Sequence, residues 1–384
     1  MATFLLDEMI EILCRLSVKD LLRFKCASKH WCSLIDDPYF IKLHLSHSLK
    51  TKTNHSLILR RYEYHFFSVN YDSGETIQKL NHPLGEQKKA IKILGSCNGL
   101  LALIDDNDRI FLWNPSTRKF QVLPSTEIEI SSPSICFDRS NFYGFGYDPI
   151  SDDYKLVRMV QLHGNNKGYL HSEAKVYSLR SNCWRRIKDF CFYLIFAREF
   201  GFLANNALHW MVFKPPKSGK QNLVGFDLRT EEFRSLELPE FCLDKLFCYD
   251  IKAMGGFICL TATYRELDTV VVDVWIMKEY GVKESWIKLI SWNEPHFIPR
   301  FPSLVAPLAF SKNGDKVLFN ISYKCRNFGK WYNLRDKFVW YDLWGERVEK
   351  VEIRGIPTSF DVHFYVESLV PINGNAVMIN NEMP

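Results

Sequence analysis

A short α-helical module joined to a large all-β domain, built as a propeller of repeated four-stranded sheets, is the fold class this sequence predicts. Three observations carry it. Apolar residues recur at helical spacing only as far as about Leu45, and at alternating spacing from about Ser56 onward. One hairpin-sized unit recurs along the second part: an aromatic, a polar turn, and another large apolar residue seven positions later. The first such unit is a strand short, and an unpaired strand-like run stands near the carboxyl end. The expected division is therefore a helical module over residues 1–45, a linker over 46–55 and a propeller over 56–384.

The helical module reads as three short helices. Asp7, Glu8 and Glu11 place negative charge in the first turns of the first helix, where the macrodipole favours it, and Met9, Ile12, Leu13 and Leu16 follow at helical spacing. Ser17 can cap a second helix, with Asp20 three residues on as a weak capping box. Its apolar residues, Leu21, Leu22, Phe24, Cys26, Ala27, Trp31 and Leu34, wrap more than one face. A segment of about 45 residues is too small to bury so many large side chains internally, so much of that surface is expected to meet a partner. The stretch SHSLKTKTN, residues 46–54, loses both hydrophobicity and period, as a linker or the end of the third helix would.

Beyond it, the hairpin unit appears between Trp113 and Phe120 in WNPSTRKF, Tyr177 and Trp184 in YSLRSNCW, Phe226 and Phe233 in FDLRTEEF, and Tyr341 and Val348 in YDLWGERV. A longer version lies between Trp275 and Trp286, and a looser one between Val69 and Ile77. Most are preceded by a second hairpin whose turn is marked by Asn98 and Gly99, by Asp148 to Asp153, by Asn205 and Asn206, by Gly255 and Gly256, or by Asn313 and Gly314. Four-stranded units at a spacing of about 45 to 65 residues are what a β-propeller requires, because each blade covers its faces only against its neighbours. Six blades fit the count, with seven as the alternative. The run Val362-His363-Phe364-Tyr365-Val366 alternates with period two, and is expected to complete the first blade with Val362, Phe364 and Val366 on one face, closing the propeller and removing its exposed edges.

Composition narrows the function classes. Hydrophobic content of 47% and aromatic content of 15% belong to a chain with a large folded core. A balance of 49 Lys and Arg against 44 Asp and Glu, with no long basic run, argues against a nucleic-acid partner. The eleven cysteines form no CxxC pair and several sit in apolar runs, as buried thiols of a reducing compartment do. No apolar run approaches the length of a membrane span, and the amino terminus is acidic where a signal peptide would be basic, so cytoplasm and nucleus are the expected locations.

No catalytic constellation emerges. Gly144-Phe-Gly146 lacks the third glycine and following helix of a dinucleotide site, and Ser218-Gly219-Lys220 lacks the upstream glycine of a P-loop; both read as turns or strand ends. His44 and His47 stand at helical spacing without an acidic or cysteine partner in register, which reads as a solvated helix end and not as a metal site. Trp113, Trp184, Trp275 and Trp286 recur at equivalent places in the repeat, which is the behaviour of packing residues. No cofactor and no metal are expected, and the chain reads as a non-enzyme.

The phrases Leu5-Leu6-Asp7-Glu8, Ile12-Leu13, Arg15-Leu16, Val18-Lys19, Leu21-Leu22-Arg23-Phe24, Cys26, Ser28-Lys29, Trp31, Leu34-Ile35, Asp37-Pro38 and Phe40-Ile41 resemble an F-box, the motif that binds the adaptor Skp1 in SCF-type ubiquitin ligases. Leu6 and Ser17 stand where that pattern usually has proline. The rest of the chain resembles the F-box-associated interaction domain of land-plant proteins, through GSCNGL, WNPSTR, FGYDPISDDYKLVRM, LHW, FDL and VDVW. Within that group, FYGFGYDPISDDYKLVRMVQ and VVDVWIMKEYGVKESWIKL are most similar to the "constitutive expresser of pathogenesis-related genes" F-box proteins, which restrain defence by promoting turnover of immune receptors. Pollen S-locus F-box proteins, which act on style ribonucleases, share the architecture and are the alternative.

The resemblance implies a substrate-recognition subunit that brings a protein target to a Skp1-like adaptor and, through it, to cullin. It implies Leu5, Leu6, Leu16, Leu21, Leu22, Cys26, Lys29 and Trp31 as the Skp1-binding set, with Lys29 at the polar edge. It names no target-binding residue. A ligand-binding propeller with no ligase role, or an enzyme with its site in a central channel, is the rival from a different class.

Overall fold

The computed structural model describes residues 2–378, except 63, 72–75, 86–89, 130–137, 164–168, 191, 195–198, 214–220, 240–245, 267–268, 295–301, 328–329 and 373–376. The Ser218-Gly219-Lys220 stretch and the turn of the loose hairpin after Val69 lie outside the described residues. The chain divides into two compact units, Met1–Ser125 together with Asp361–Pro384, and Thr126–Phe360.

Four helices open the first unit where three were expected: α1 (Ala2–Cys14), α2 (Val18–Phe24), α3 (Lys29–Asp36) and α4 (Pro38–Thr51). The expected second helix breaks because Ser28 adopts an extended backbone and its hydroxyl accepts from the Trp31 N–H at 3.1 Å, capping a new helix. Asp37 does the same for α4, accepting from the N–H groups of Tyr39 and Phe40 at 2.8 and 3.2 Å, with Pro38 in the first helical position. Of the two readings of residues 46–54, linker or helix end, the second holds for most of the stretch, which forms the last turns of α4. Its polar composition is deceptive, because Ser48 is buried and accepts from Asn54 Nδ2 at 2.8 Å through its hydroxyl, and from the Thr53 N–H at 3.1 Å through its carbonyl.

Six sheets follow. In chain order the strands are β1 (His55–Arg61), β2 (His65–Val69) and β3 (Gln78–Leu80); β4 (Ile91–Cys97), β5 (Leu100–Asp105), β6 (Ile110–Asn114) and β7 (Lys119–Val122); β8 (Asp138–Asp148), β9 (Asp153–His163), β10 (Tyr169–Ser178) and β11 (Cys183–Arg186). Then come β12 (Tyr193–Leu194), β13 (Phe202–Ala204), β14 (Ala207–Phe213), β15 (Gln221–Asp227) and β16 (Phe233–Leu236); β17 (Leu246–Met254), β18 (Phe257–Glu266), β19 (Thr269–Met277) and β20 (Trp286–Glu294). The last sheet holds β21 (Pro302–Phe310), β22 (Lys316–Asn327), β23 (Lys330–Asp342) and β24 (Arg347–Lys350), after which β25 (Asp361–Val366) and β26 (Val377–Met378) return to the first and second sheets. These are the blades of a six-bladed β-propeller, so six and not seven is the count. Two strands were not foreseen: β12 shares the β14 edge with β13, and β26 adds to β7.

The recurring aromatic pairs turn out to be direct cross-strand partners: Trp113 with Phe120, Tyr177 with Trp184, Phe226 with Phe233 and Tyr341 with Val348. Three of their turns share one chemistry. A side-chain oxygen at the end of the first strand accepts from two backbone N–H groups ahead of it, as Asn114 does from Ser116 and Thr117, Asp227 from Arg229 and Thr230, and Asp342 from Trp344 and Gly345. One left-handed residue then returns the chain: Arg118, Glu231 and Glu346, with φ between 48° and 58°.

Core residues gather between neighbouring sheets. Phe66, Ile93, Leu103 and Trp113 join the first two, and Met159, Val176, Trp210 and Phe226 join the third and fourth. Further clusters form around Leu223, Ile258, Leu260 and Trp286, and around Val274, Trp292, Phe319 and Val339. Central strands such as β5 are buried along their whole length because both faces are covered. The same close approach corrects the reading of Gly144 and Gly146. Both lie inside β8, where a Cβ on Gly144 would come within 2.6 Å of the Trp210 ring and one on Gly146 within 2.7 Å of Leu228 Cδ1. Of the six cysteines described as free thiols, Cys14, Cys97 and Cys259 are buried, but Cys26 and Cys183 are exposed and Cys32 is intermediate, so burial is less general than expected.

The carboxyl-terminal strand pairs as the missing-strand argument required, antiparallel to β1 from His55 opposite Val366 to Arg60 opposite Asp361. The buried residues are not the alternating set expected: Tyr365 and Val366 are buried, and Val362 and Phe364 only partly so. Tyr365 places its hydroxyl 2.8 Å from Ser116 Oγ and 3.5 Å from Asn114 Oδ1. Asn114 Nδ2 donates to the carbonyls of Ser368 and Val370 at 3.1 and 2.9 Å, and Ser368 Oγ donates to the Asn98 carbonyl at 2.7 Å. Gly99, with φ of 84°, leaves the room: a Cβ there would lie 2.0 Å from Ser368 Oγ.

A chain ended at Phe360 should therefore aggregate or be cut by protease at concentrations where the full chain is monomeric, because it exposes the β1 edge and orphans Asn114. Tyr365→Phe should lower stability by about 1 kcal/mol while leaving the fold intact, as read by denaturant unfolding.

Candidate functional site

The helical module fills its own core with Leu13, Cys14, Val18, Leu21, Ile35, Phe40, Ile41, His44 and Leu45. What remains partly open is a second apolar set. Leu16, Leu22, Phe24, Trp31 and Leu34 are half-buried, and Ile12 is 62% exposed. The Phe24 and Trp31 rings lie 4.9 Å apart between centroids at a tilt of 59°, which ties α2 to α3. Cys26 and Lys29 are exposed in and just after the turn between these helices.

Of the residues implied by resemblance, Leu16, Leu22, Cys26, Lys29 and Trp31 thus reach the surface. Leu5 and Leu6 lie on α1, with side chains outside the described residues. Leu21 is a correction: at 0% exposure it belongs to the module's own core and is not available to a partner in this conformation. Its neighbour Leu22 points elsewhere because adjacent helical residues diverge by about 100°. Ile12, Phe24 and Leu34 belong to the helical pattern and to the F-box phrases but not to the implied Skp1-binding set. Their signal was the excess of apolar positions beyond what one buried stripe uses.

The departure from proline at Ser17 has a local explanation. Ser17 holds φ at −67°, the value proline would impose, and caps α2 by accepting from the Asp20 N–H at 3.1 Å while donating to Asp20 Oδ2 at 2.7 Å. The module is fastened across by His44, whose Nε2–H donates to the Leu16 carbonyl at 3.0 Å. His44 is fully buried, which corrects its reading as part of a solvated helix end, and burial holds its pKa below the usual imidazole value. Among the described residues no group of three or more His, Cys, Asp or Glu could hold a metal ion.

The joint between the module and the first sheet lies within the same compact unit. The Glu367 N–H donates to the Asn54 carbonyl at 2.8 Å. Burial raises the Glu367 carboxyl pKa, and Lys19 on α2 opposes that rise. His55, the first residue of β1, sits edge-on to Phe364 at 5.0 Å with Nδ1 3.5 Å from the Tyr71 hydroxyl, and desolvation pulls its pKa down to about 4.

These geometries agree with the comparisons. Residues 6–43 match the F-box domain and residues 55–372 the F-box associated beta propeller domain. The chain is 35% identical to the Arabidopsis thaliana F-box protein CPR1 over 387 aligned residues, 96% of this chain and 89% of that one. It is 30% identical to an Arabidopsis thaliana F-box/kelch-repeat protein over 84% of this chain and 88% of the relative. No described helix is long and apolar enough to cross a membrane.

A buried histidine in the module and a half-buried one at its joint set a pH dependence. His44 and His55 stay neutral in the fold while the unfolded chain protonates near 6.5, so their contribution is complete above that pH and is lost as pH falls below it, for His55 down to about 4. The thermal midpoint should fall between pH 7.5 and pH 5, and His55→Asn should flatten that dependence; an unchanged slope would contradict the assignment.

Proposed function

Because the chain belongs to the family of F-box proteins carrying an F-box-associated β-propeller domain, we propose that it is the substrate-recognition subunit of a Skp1-cullin-F-box ubiquitin ligase. The observation that supports this most directly is the second apolar set on the helical module. With its own core filled, the module still offers Ile12, Leu16, Leu22, Phe24 and Trp31 to a partner, on four short helices of which three start at a side-chain cap. A partly open aromatic pair such as Phe24 and Trp31 is what interface centres are enriched in, and the exposed Cys26 and Lys29 would lie toward the rim.

The chain itself performs no bond chemistry in this reading. It holds a target close to the ubiquitin-loaded enzyme that the cullin arm carries, which raises the effective concentration of target lysines. The domains work as residues 1–45 for the adaptor and 56–384 for the target, in the cytoplasm and nucleus. Of the two groups its phrases resemble, we take the defence-restraining one as the guide to the target class, an immune receptor. Capture of the target with degradation blocked separates this from an S-locus-type ribonuclease target.

Leu21 and Leu22 divide the assignment between folding and binding. Leu21→Ala should cost about 2 to 5 kcal/mol of stability by opening a cavity in the module core. Leu22→Ala combined with Trp31→Ala should change stability far less but weaken Skp1 affinity by at least about tenfold, since central interface residues are each worth about 2 kcal/mol. A double variant that keeps full Skp1 affinity in calorimetric titration would refute the face.

A further inference from the structure

The third sheet carries charge where the second carries hydrocarbon. Residues 100–104 of β5 are an unbroken apolar run, buried on both faces. β9 and β10 keep that character on one face only, where Met159, Ala174 and Val176 join the cluster around Trp210. Their other face presents Arg158, Glu173 and Lys175, which are 8%, 1% and 5% exposed. The register sets Arg158 directly opposite Lys175. Two buried cations facing each other across a ladder destabilise a sheet unless other groups compensate them.

The compensation comes from residues 126–129, which belong to the same compact unit as this sheet. Arg158 Nη1 donates to the Thr126 carbonyl at 2.8 Å, and Lys175 Nζ donates to the Glu127 carbonyl at 2.8 Å and to Glu129 Oε1 at 2.6 Å. Glu173 Oε2 accepts from the Glu129 N–H at 2.7 Å, and Arg186 Nη1 stands 3.7 Å from Glu129 Oε2. Residues 126–129 form no strand, and the side chains of Glu127 and Glu129 are exposed. These bonds run through side chains of the sheet, so lifting residues 126–129 away breaks none of the backbone bonds that pair β10 with β9 and β9 with β8. Arg158 Nε, buried and without a partner among the described residues, is a donor that residues 126–129 leave unused.

We infer that this face of β9 and β10 is a binding groove for an extended, acidic segment of the target protein, and that residues 126–129 occupy it as a competing self-ligand. Within four residues the groove engages two carbonyls, one N–H and one carboxylate, a series that a polypeptide offers. Nucleic acid has no backbone N–H for Glu173, whose carboxylate would face its phosphates as a like charge. Because the groove takes backbone groups and one acid, it sets an extended conformation and leaves the intervening side chains free. Tethering gives the self-ligand a high effective concentration, which closes the groove to weak ligands. A ligand that also satisfies Arg158 Nε gains a bond the self-ligand does not make. Assigning the segment to the target rests on the reading of the β domain as the target-binding part.

The test uses the full-length chain co-purified with Skp1 and a fluorescein-labelled peptide Leu-Pro-Ser-Thr-Glu-Ile-Glu-Ile, the sequence of residues 123–130, with binding read by anisotropy. The variant Thr126→Gly, Glu127→Ser, Ile128→Gly and Glu129→Ser weakens the self-ligand at constant chain length. It should bind the peptide at least about tenfold more tightly than the unmutated chain does, and adding Lys175→Met should remove that gain. A peptide with Gln in place of both Glu residues should bind at least about tenfold more weakly. Thermal melting shows which variants fold, and Glu129→Gln and Lys175→Gln replace any that do not. No peptide binding by the folded variant, equal binding by the unmutated chain, a gain that survives the change at Lys175, or tighter binding of a single-stranded dodecanucleotide than of the peptide would each overturn the groove. Failure of the unmutated chain to hold Skp1 would instead overturn the ligase reading, and the two results are read separately.

Discussion

The return of the last strand to the first sheet is the interaction on which the rest depends. A sheet of this kind has apolar side chains on both faces and polar backbone at both edges, and β1 would be left with one edge open if the chain stopped after the sixth sheet. Asn114 converts that topological need into a specific bond pattern. Its carboxamide oxygen organises the turn of the second sheet, and its nitrogen holds the carbonyls of Ser368 and Val370. One side chain thus serves a local turn and a contact more than 250 residues distant in sequence.

The same segment anchors the helical module. β25 ends opposite His55, the residue with which β1 begins, and the next N–H, that of Glu367, reaches the Asn54 carbonyl. The chain therefore leaves α4 and enters the β domain at the place where its carboxyl end is fastened. The ionic balance there is finely set, with a carboxyl and an imidazole both drawn toward neutrality by burial.

The helical module shows how a small domain is specified by more than its core. Its helices are short, and three of the four start at a side-chain cap, Ser17, Ser28 and Asp37. Capping is worth about 1 kcal/mol each, a large share of what a module of this size can hold. Adjacent leucines then take different duties: Leu21 is fully buried in the core, and Leu22 remains partly open at the surface.

The sequence by itself determined the repeat and the pairing of the last strand, and it favoured six sheets while leaving seven open. Aromatic spacing in a tight hairpin follows from local geometry, and a missing strand can be counted. Resemblance along its phrases also identified the F-box, and the excess of apolar residues, a matter of composition, called for a partner surface. Other features waited for the tertiary structure. Ser28 in a periodic stretch reads as a tolerated polar residue until its hydroxyl is seen capping α3, and the polar run after Leu45 reads as linker because the burial of Ser48 depends on Asn54 and Thr53 folding back. Which of Leu21 and Leu22 faces inward, and that Gly144 and Gly146 make room for Trp210 and Leu228 within a strand, are decided by what packs against them. Period and turn chemistry are local and can be read along the chain. Orientation within an apolar cluster is set by neighbours distant in sequence, and a single chain carries no mark of them.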